Sequence, residues 1–132
     1  MLVINEETRE IVMTRGDSAI IPITAKNRDG SDYIFKTNEV VRFKVFKNKD
    51  CGCVELQKDI TVDKETSIVN VPLTKTDTKI GELISKPTIY WYEVELNPDT
   101  EPQTIIGYTL EKGAAIFTLL PEGGDKEWLK ET

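Results

Sequence analysis

The feature that most constrains this chain is the regular return of turn sequences between short alternating segments. Glycine-containing turns occur at residues 14–18 and 27–31, and apolar and polar side chains alternate in residues 41–45 and in the aromatic segment 88–96. A period of two puts the apolar side chains on one face of a strand. Turn signals about every 8–12 residues are typical of β-sandwiches and barrels. We therefore expect an all-β fold of about seven to nine strands.

The same signals place the strands along the chain. The extended segments from which these seven to nine strands are drawn are residues 8–13, 18–25, 32–35, 41–45, 54–57, 60–62, 67–73, 88–96, 103–110 and 114–120. Pro22 has no N–H to donate to a ladder, so its strand is predicted at a sheet edge or at a bulge. Residues 74–83 break the alternation. There Asp77 in a first turn and a closing Gly81 predict one short helical crossover between two sheets.

Length and composition indicate one domain followed by a tail. A chain of 132 residues, 39% apolar and 30% charged, is in the range of a single globular domain. The predicted β-sandwich covers residues 1–122, and a pair of glycines then opens a tail at residues 123–132. In the tail, Asp125 would cap a short helical turn carrying Trp128 and Leu129. Because such a turn is too short to be stable alone, it must dock or remain mobile.

The charge balance argues against nucleic-acid and membrane partners. Seventeen basic and 23 acidic residues give a net charge of −6, whereas binding to a phosphate backbone depends on a basic surface. The apolar runs are far shorter than the about 20 residues that a transmembrane helix needs. The N-terminal residues lack the basic and apolar regions of a signal peptide, so synthesis and retention in the cytosol are expected.

The absence of histidine removes most catalytic chemistry. A serine or cysteine nucleophile needs a base, which is usually histidine, and the chain has none. Glu93 and Glu95 lie two residues apart and share a strand face, but we interpret them as a solvated pair rather than as glycosidase carboxylates. Cys51 and Cys53 are too few for a tetrahedral metal site, and we interpret them as reduced thiols in a turn. No enzyme activity, metal or cofactor is predicted.

One tripeptide matches a known cell-adhesion motif. Residues 15–17, Arg-Gly-Asp, match the integrin-binding sequence. Because they fall between two predicted strands, we interpret them as a turn.

The aromatic strand carries the candidate interaction residues. Its predicted inward side chains are Tyr92, Val94 and Leu96. Its predicted outward side chains are Ile89, Trp91, Glu93 and Glu95. An exposed Trp91 beside Ile89 would be a contact for a partner or a sugar, since aromatic residues are enriched at binding hot spots. The alternative is that Trp91 packs beneath the short helix or the tail. The candidate partner-binding residues are Trp91, Ile89, Trp128 and Leu129.

Six segments, taken together, resemble a known family. The early segments read Thr-Arg-Gly-Asp-Ser, Asn-Arg-Asp-Gly-Ser and Val-Val-Arg-Phe-Lys-Val, within residues 14–45. The late segments are residues 73–78 (Leu-Thr-Lys-Thr-Asp-Thr), 90–96 (Tyr-Trp-Tyr-Glu-Val-Glu-Leu) and 103–107 (Gln-Thr-Ile-Ile-Gly). Over roughly residues 8–120, the order of strands and turns resembles the N-terminal β-sandwich of upper-baseplate proteins, the receptor-binding-protein scaffolds of Firmicutes phages and prophages.

The resemblance implies a fold and a role. The fold would be an immunoglobulin-like antiparallel β-sandwich. The role would be a structural tail or baseplate protein that assembles with other tail proteins and with copies of itself, in the host cytoplasm and then in the virion tail. Longer relatives continue into helical linkers and a receptor-scaffold region, so a sequence ending at Thr132 would be a stand-alone assembly module. The alternative is a carbohydrate-binding module that recognises host cell-wall glycans through Trp91 and the nearby tyrosines.

Overall fold

The computed structural model is a β-protein in every part that it describes. The described residues are 2–4 (backbone only), 9–27, 29–47, 54–81, 86–107 and 113–121. Within them the strands are β1 (Leu2–Ile4), β2 (Ile11–Thr14), β3 (Ala19–Ile23), β4 (Val40–Phe46), β5 (Val54–Thr61), β6 (Val69–Leu73), β7 (Thr88–Leu96), β8 (Gln103–Ile106) and β9 (Ala115–Leu120). No helix is assigned in these residues, and the all-β prediction is confirmed.

The strands form a large sheet and a small one. Seven strands make the large sheet in the order β1-β2-β9-β7-β4-β5, with β8 pairing to β7 beyond the end of β9, and β3 pairs with β6 in the small sheet. The prediction of an antiparallel fold needs one correction, because β2 and β9 pair in parallel. A parallel pair requires a long crossover connection, and here the chain passes through the remaining strands between β2 and β9.

Alternation determines which face of each strand is buried. Strand β4 buries every second side chain, and β7 does the same. The buried side chains of β7 are Tyr90, Tyr92, Val94 and Leu96. The predicted inward face of the aromatic strand is therefore confirmed, with Tyr90 added to it.

Both sheets contribute to one hydrophobic core. Phe43 of β4, at 0% exposure, lies near its centre. Its ring stacks on Tyr92 at a centroid distance of 5.6 Å and meets Phe117 edge-on at 6.3 Å. The small sheet contributes the buried side chains Ile21, Ile23, Val69, Val71 and Leu73. Burying one such side chain stabilises the fold by about 1.5–3 kcal/mol, so this shared core joins the two sheets.

The prediction that Pro22 lies on an edge strand is confirmed. Among the described residues, strand β3 pairs only with β6, and the register sets Pro22 opposite Asn70 and Ile20 opposite Pro72. A hydrogen-bonded pair needs an N–H on both residues, so both prolines occupy the non-hydrogen-bonded positions. Their ring nitrogens therefore point to the two open edges of the small sheet, and each removes a donor that a further strand would use.

The predicted short helix is not present in the described part of residues 74–83. Residues 75–78 form a turn in which the Thr78 N–H donates to the Thr74 carbonyl at 3.2 Å. The Asp77 carboxylate accepts from the Thr74 N–H at 2.8 Å, and the Thr74 hydroxyl accepts from the Asp77 N–H at 3.1 Å. These two reciprocal bonds form a capping box, which satisfies N–H groups at the start of a helical turn, but no helix is assigned after it in the described residues. The segment still leads from the small sheet to the large one, as the crossover prediction required.

Other predictions fall on residues that the structure does not describe. The tail at 123–132, with Trp128 and Leu129, lies outside the described residues, as do Cys51 and Cys53. In the part that is described, no helix has the length and apolar character needed to span a membrane.

Candidate functional site

An apolar row crosses the outer face of the large sheet, which is the face that points away from the core. A β-bulge in β5 shifts the register between Leu56 and Val54, so that Val54 lies opposite Phe46. Phe46 lies opposite Trp91, and Trp91 lies opposite Ile116 of β9. Residues that are directly opposite share a face, so four apolar side chains from four strands lie side by side. Val54 is 44% exposed and the other three are half-buried.

Two further apolar side chains, Ile89 of β7 and Val12 of β2, extend this row, and Thr118 of β9 lies between them. Ile89 lies two residues before Trp91 on β7 and is 52% exposed. Thr118 lies opposite Ile89 and also opposite the half-buried Val12 of β2. We call the six apolar side chains the apolar patch: Val12, Phe46, Val54, Ile89, Trp91 and Ile116. Single exposed apolar residues are ordinary, whereas a contiguous group of them marks an interaction surface.

A charged band borders the apolar patch on β4 and β7. The Lys44 ammonium lies 2.7 Å from a Glu95 carboxylate oxygen and 3.8 Å from one of Glu93. The same nitrogen lies 5.6 Å from the centre of the Phe46 ring. Lys44 therefore joins the charged band to the apolar row, with a cation–π contact on one side and two carboxylates on the other.

The carboxylate pair considered for catalysis is held by Lys44. Glu93 and Glu95 share the outer face, as predicted, but both are half-buried and both lie within ion-pair distance of Lys44. Burial raises the pKa of Glu93, with a smaller contribution from Glu95, against the opposing effect of Lys44. The geometry is that of an ion-paired cluster on a sheet face.

Arg42 completes the charged band. Its guanidinium binds Asp59 through two hydrogen bonds of 2.8 and 3.0 Å, and reaches Asp99 at 3.2 Å. The hydrogen bond to Asp59 is the largest cause of the raised pKa of Arg42, and it holds the pKa of Asp59 below its ordinary value. The two hydrogen bonds hold the Arg42 and Asp59 side chains in a fixed position relative to each other.

The Arg-Gly-Asp sequence is a structural anchor. Arg15 is only 6% exposed, and its guanidinium donates to the Ile80 carbonyl at 3.1 Å and the Gly81 carbonyl at 2.9 Å. The Thr78 hydroxyl donates to the Asp17 carbonyl at 2.7 Å. These bonds tie the turn after β2 to the segment before β7. Because the arginine is buried, the tripeptide is not displayed for adhesion.

A hydrogen-bonded network around the Glu39 carboxylate lies just before β4 and just after β7, at the end of β7 away from the Arg15 contacts. The Tyr33 hydroxyl donates to both Glu39 carboxylate oxygens at 2.8 Å, the Lys36 N–H donates at 2.7 Å, and the Asn97 amide donates at 3.0 Å. Burial opposes ionisation of Glu39, but the three donors outweigh it and lower the pKa of the carboxyl. Burial, and then the bond to Glu39, raise the pKa of Tyr33 to about 12.

Glu39→Gln is expected to remove an acid-sensitive part of the stability. A lowered pKa in the folded state means that the ionised carboxylate stabilises the fold above its ordinary value of 4.5, and that this contribution is lost as pH falls through the lowered pKa. The variant should be about 1 kcal/mol less stable at neutral pH. Urea unfolding across a pH series should show this difference shrinking in acid. A difference that is constant with pH would contradict the assignment.

A cleft lies beside this network. Its volume is about 280 Å³, and its lining residues are Ala25, Lys26, Asn27, Tyr33, Leu96, Gln103, Thr104 and Ile105. It is built by the hairpin bridged at Lys26 and Asp32, by the C-terminal end of β7 and by β8.

Of the four candidate partner-binding residues, the structure describes two. Trp91 and Ile89 lie together on the outer face as predicted, while Trp128 and Leu129 lie outside the described residues. The glycan alternative required Trp91 and its neighbouring tyrosines on one surface. Tyr90 and Tyr92 are instead buried on the core side of β7, so this aromatic platform is not formed. The patch members Phe46, Val54 and Ile116 were not identified from sequence, because only strand register brings them beside Trp91.

Fold and surface together define an all-β domain with an apolar patch bordered by ion pairs. Among the described residues, no group of three or more cysteine or acidic side chains is placed to hold a metal ion. No protein-family profile matches the chain, and no curated protein or solved structure shows significant similarity to it.

Proposed function

We propose that this chain is a structural component of a phage or prophage tail that acts by protein–protein assembly. The observation that carries the proposal is the apolar patch, a contiguous group of exposed and half-buried side chains on the outer face of the large sheet. The resemblance of residues 8–120 to upper-baseplate proteins supports the tail assignment. In this proposal the two sheets are the layers of an immunoglobulin-like sandwich.

The composition of the outer face supports a protein partner. Protein interfaces combine an apolar centre rich in aromatic residues with a polar rim. Here Trp91 lies at the centre of the row between Phe46 and Ile116, and the charged band forms a rim on one side. The rim charges are paired with one another within the chain, so covering them does not leave an unpaired charge.

Three of the sheet edges, those of β3, β6 and β5, are less suited to a partner than the face. Pro22 and Pro72 each remove an edge donor from the small sheet. Strand β5 ends the large sheet, and its Lys58 points toward the core side, where it pairs with Asp77 at 2.8 Å. Edge prolines and inward-pointing charges are devices that prevent strand addition. These features favour the outer face over these three edges for association.

The proposal has consequences for partners and location. The partners would be other tail or baseplate proteins and further copies of this chain. Assembly would occur in the host cytoplasm, and the mature protein would be part of the virion tail. The proposed role is non-enzymatic and uses no cofactor, nucleic acid or membrane.

Ile89→Lys is expected to disrupt self-association, and Ile20→Lys is its matched control. Both isoleucines are on strands and exposed, at 52% and 60%, but only Ile89 belongs to the apolar patch. A lysine in the patch should weaken association by at least about tenfold, because a desolvated charge is costly in an apolar contact. Trp91→Ala, in a chain that still folds, should weaken it by a similar or larger factor. Sedimentation velocity across a concentration series measures both effects.

Two outcomes would overturn the assembly proposal. One is equal weakening by Ile89→Lys and Ile20→Lys. The other is a wild-type chain that stays monomeric and captures no tail protein from a phage lysate. Saturable quenching of tryptophan fluorescence by cell-wall sugars, lost in Trp91→Ala, would favour the carbohydrate-binding alternative.

A further inference from the structure

We propose that the cleft between the 25–33 hairpin, the C-terminal end of β7 and β8 binds a neutral saccharide unit. The cleft is remote from the apolar patch, since Leu96 in its lining and Ile89 in the patch are at opposite ends of β7. At about 3.3 Å per residue, the separation of seven residue steps corresponds to roughly 23 Å. The inference does not rest on the assembly role.

The size and floor of the cleft suit a ring-shaped ligand. Its volume of about 280 Å³ is at the lower limit of small-molecule sites, which are about 300–1,000 Å³. Leu96 is buried in the floor, and Tyr33 is half-buried beside it. The Tyr33 ring is held in position by its hydroxyl bonds to Glu39 and by an edge contact with Phe35 at 5.2 Å between centroids. The floor is therefore a pre-formed apolar surface.

The rim of the cleft offers hydrogen-bonding groups. The Asn27 amide nitrogen donates to Ser31 at 3.1 Å and to the Asp32 carbonyl at 3.3 Å, which leaves its side-chain oxygen as an acceptor. The side chains of Gln103 and Thr104 have no hydrogen-bond partner among the described residues, and both are exposed. Two amides and a hydroxyl supply the mixture of donors and acceptors that sugar hydroxyl groups use.

The charge of the lining selects a neutral ligand. Lys26 is the cationic lining residue, and it forms an ion pair with Asp32. The Tyr33 phenol, whose ordinary pKa is about 10, is uncharged at neutral pH, and its hydroxyl donates to Glu39. An anionic or cationic ligand would need an unpaired countercharge, whereas a neutral polyol needs only the amides, the hydroxyl and the apolar floor.

The test is an NMR titration of the full chain with glucose, galactose and N-acetylglucosamine at millimolar concentrations. At least one sugar should produce saturable shifts in the backbone amides of Asn27, Gln103 and Thr104. Gln103→Ala should weaken this binding about tenfold, the effect of losing one hydrogen-bonding side chain. Gln57→Ala, an exposed glutamine on β5, is the matched control and should bind as the wild type does. Ile89→Lys should also bind normally, which separates the result from the assembly test.

Three outcomes would overturn the saccharide proposal. They are the absence of saturable shifts with all three sugars, shifts centred on Trp91 and Ile89, and unchanged affinity in Gln103→Ala. If Gln103→Ala perturbs the fold, Thr104→Val replaces it, because this variant keeps the side-chain shape and removes only the hydroxyl. Normal sugar binding by a folded Thr104→Val would then count against the proposal.

Discussion

Phe43→Ala is expected to lower the free energy of unfolding by about 3–5 kcal/mol, the usual cost of truncating a buried phenylalanine. The side chain is 0% exposed in the centre of β4, with Tyr92 stacked on it and Phe117 edge-on. Alanine would remove the contacts of both rings and leave a cavity between the sheets. This is the largest effect that we expect from a single substitution.

Phe46→Ala is the matched control for this prediction. Phe46 lies three residues further along the same strand, but on the outer face and half-buried. Its truncation should cost less than about 2 kcal/mol, since much of the ring already contacts solvent. Urea unfolding, with the denaturant slope fitted for each variant, gives both values. Equal losses from the two substitutions would show that the core is not where the structure places it.

Arg15→Ala is expected to cost about 3 kcal/mol. Its guanidinium is buried, and it donates to the carbonyls of Ile80 and Gly81. Removing it leaves the buried Ile80 carbonyl and the partly buried Gly81 carbonyl without this donor, and the cost is about 1–3 kcal/mol for a fully buried group. Arg15→Lys should recover only part of the loss, because one ammonium cannot reproduce the planar fork of donors.

Arg42→Ala is the comparison for Arg15. Arg42 also has several partners, but it pairs with Asp59 and Asp99 on a solvated face, where ion pairs contribute about 1 kcal/mol or less. Chemical denaturation at low and high salt separates the two arginines. The Arg42 effect should shrink in salt and the Arg15 effect should persist. A salt-sensitive loss at Arg15 would contradict the buried hydrogen-bonded arrangement.

Local patterns in the sequence were enough to find most strands. The strand predicted at residues 88–96 has the same limits in the structure, because alternation within one strand decides which face is buried. Residues 54–62 were predicted as two strands, yet β5 runs without a break from Val54 to Thr61. Lys58 and Asp59 interrupt the apolar pattern in the sequence, and in the strand they form ion pairs with Asp77 and Arg42.

The apolar patch was only partly predictable, because local alternation shows which side chains share a face of one strand but not which strands pair. Ile89 and Trp91 follow from alternation in one strand. Phe46, Val54 and Ile116 join them through pairing with other strands, and no local pattern determines that register. The role of Arg15 was also missed, because the carbonyls that it binds lie 65 and 66 residues further along the chain.

The position of β9 has a consequence for how the protein is made. The last strand lies between β2 and β7, so it completes a sheet whose other members precede it in the chain. During synthesis, β2 and β7 have open edges until residues 115–120 emerge from the ribosome. An unpaired edge is a template for intermolecular strand addition. Closure of this part of the sheet therefore waits for the synthesis of β9, and until then the facing edges of β2 and β7 are open to strand addition by another chain.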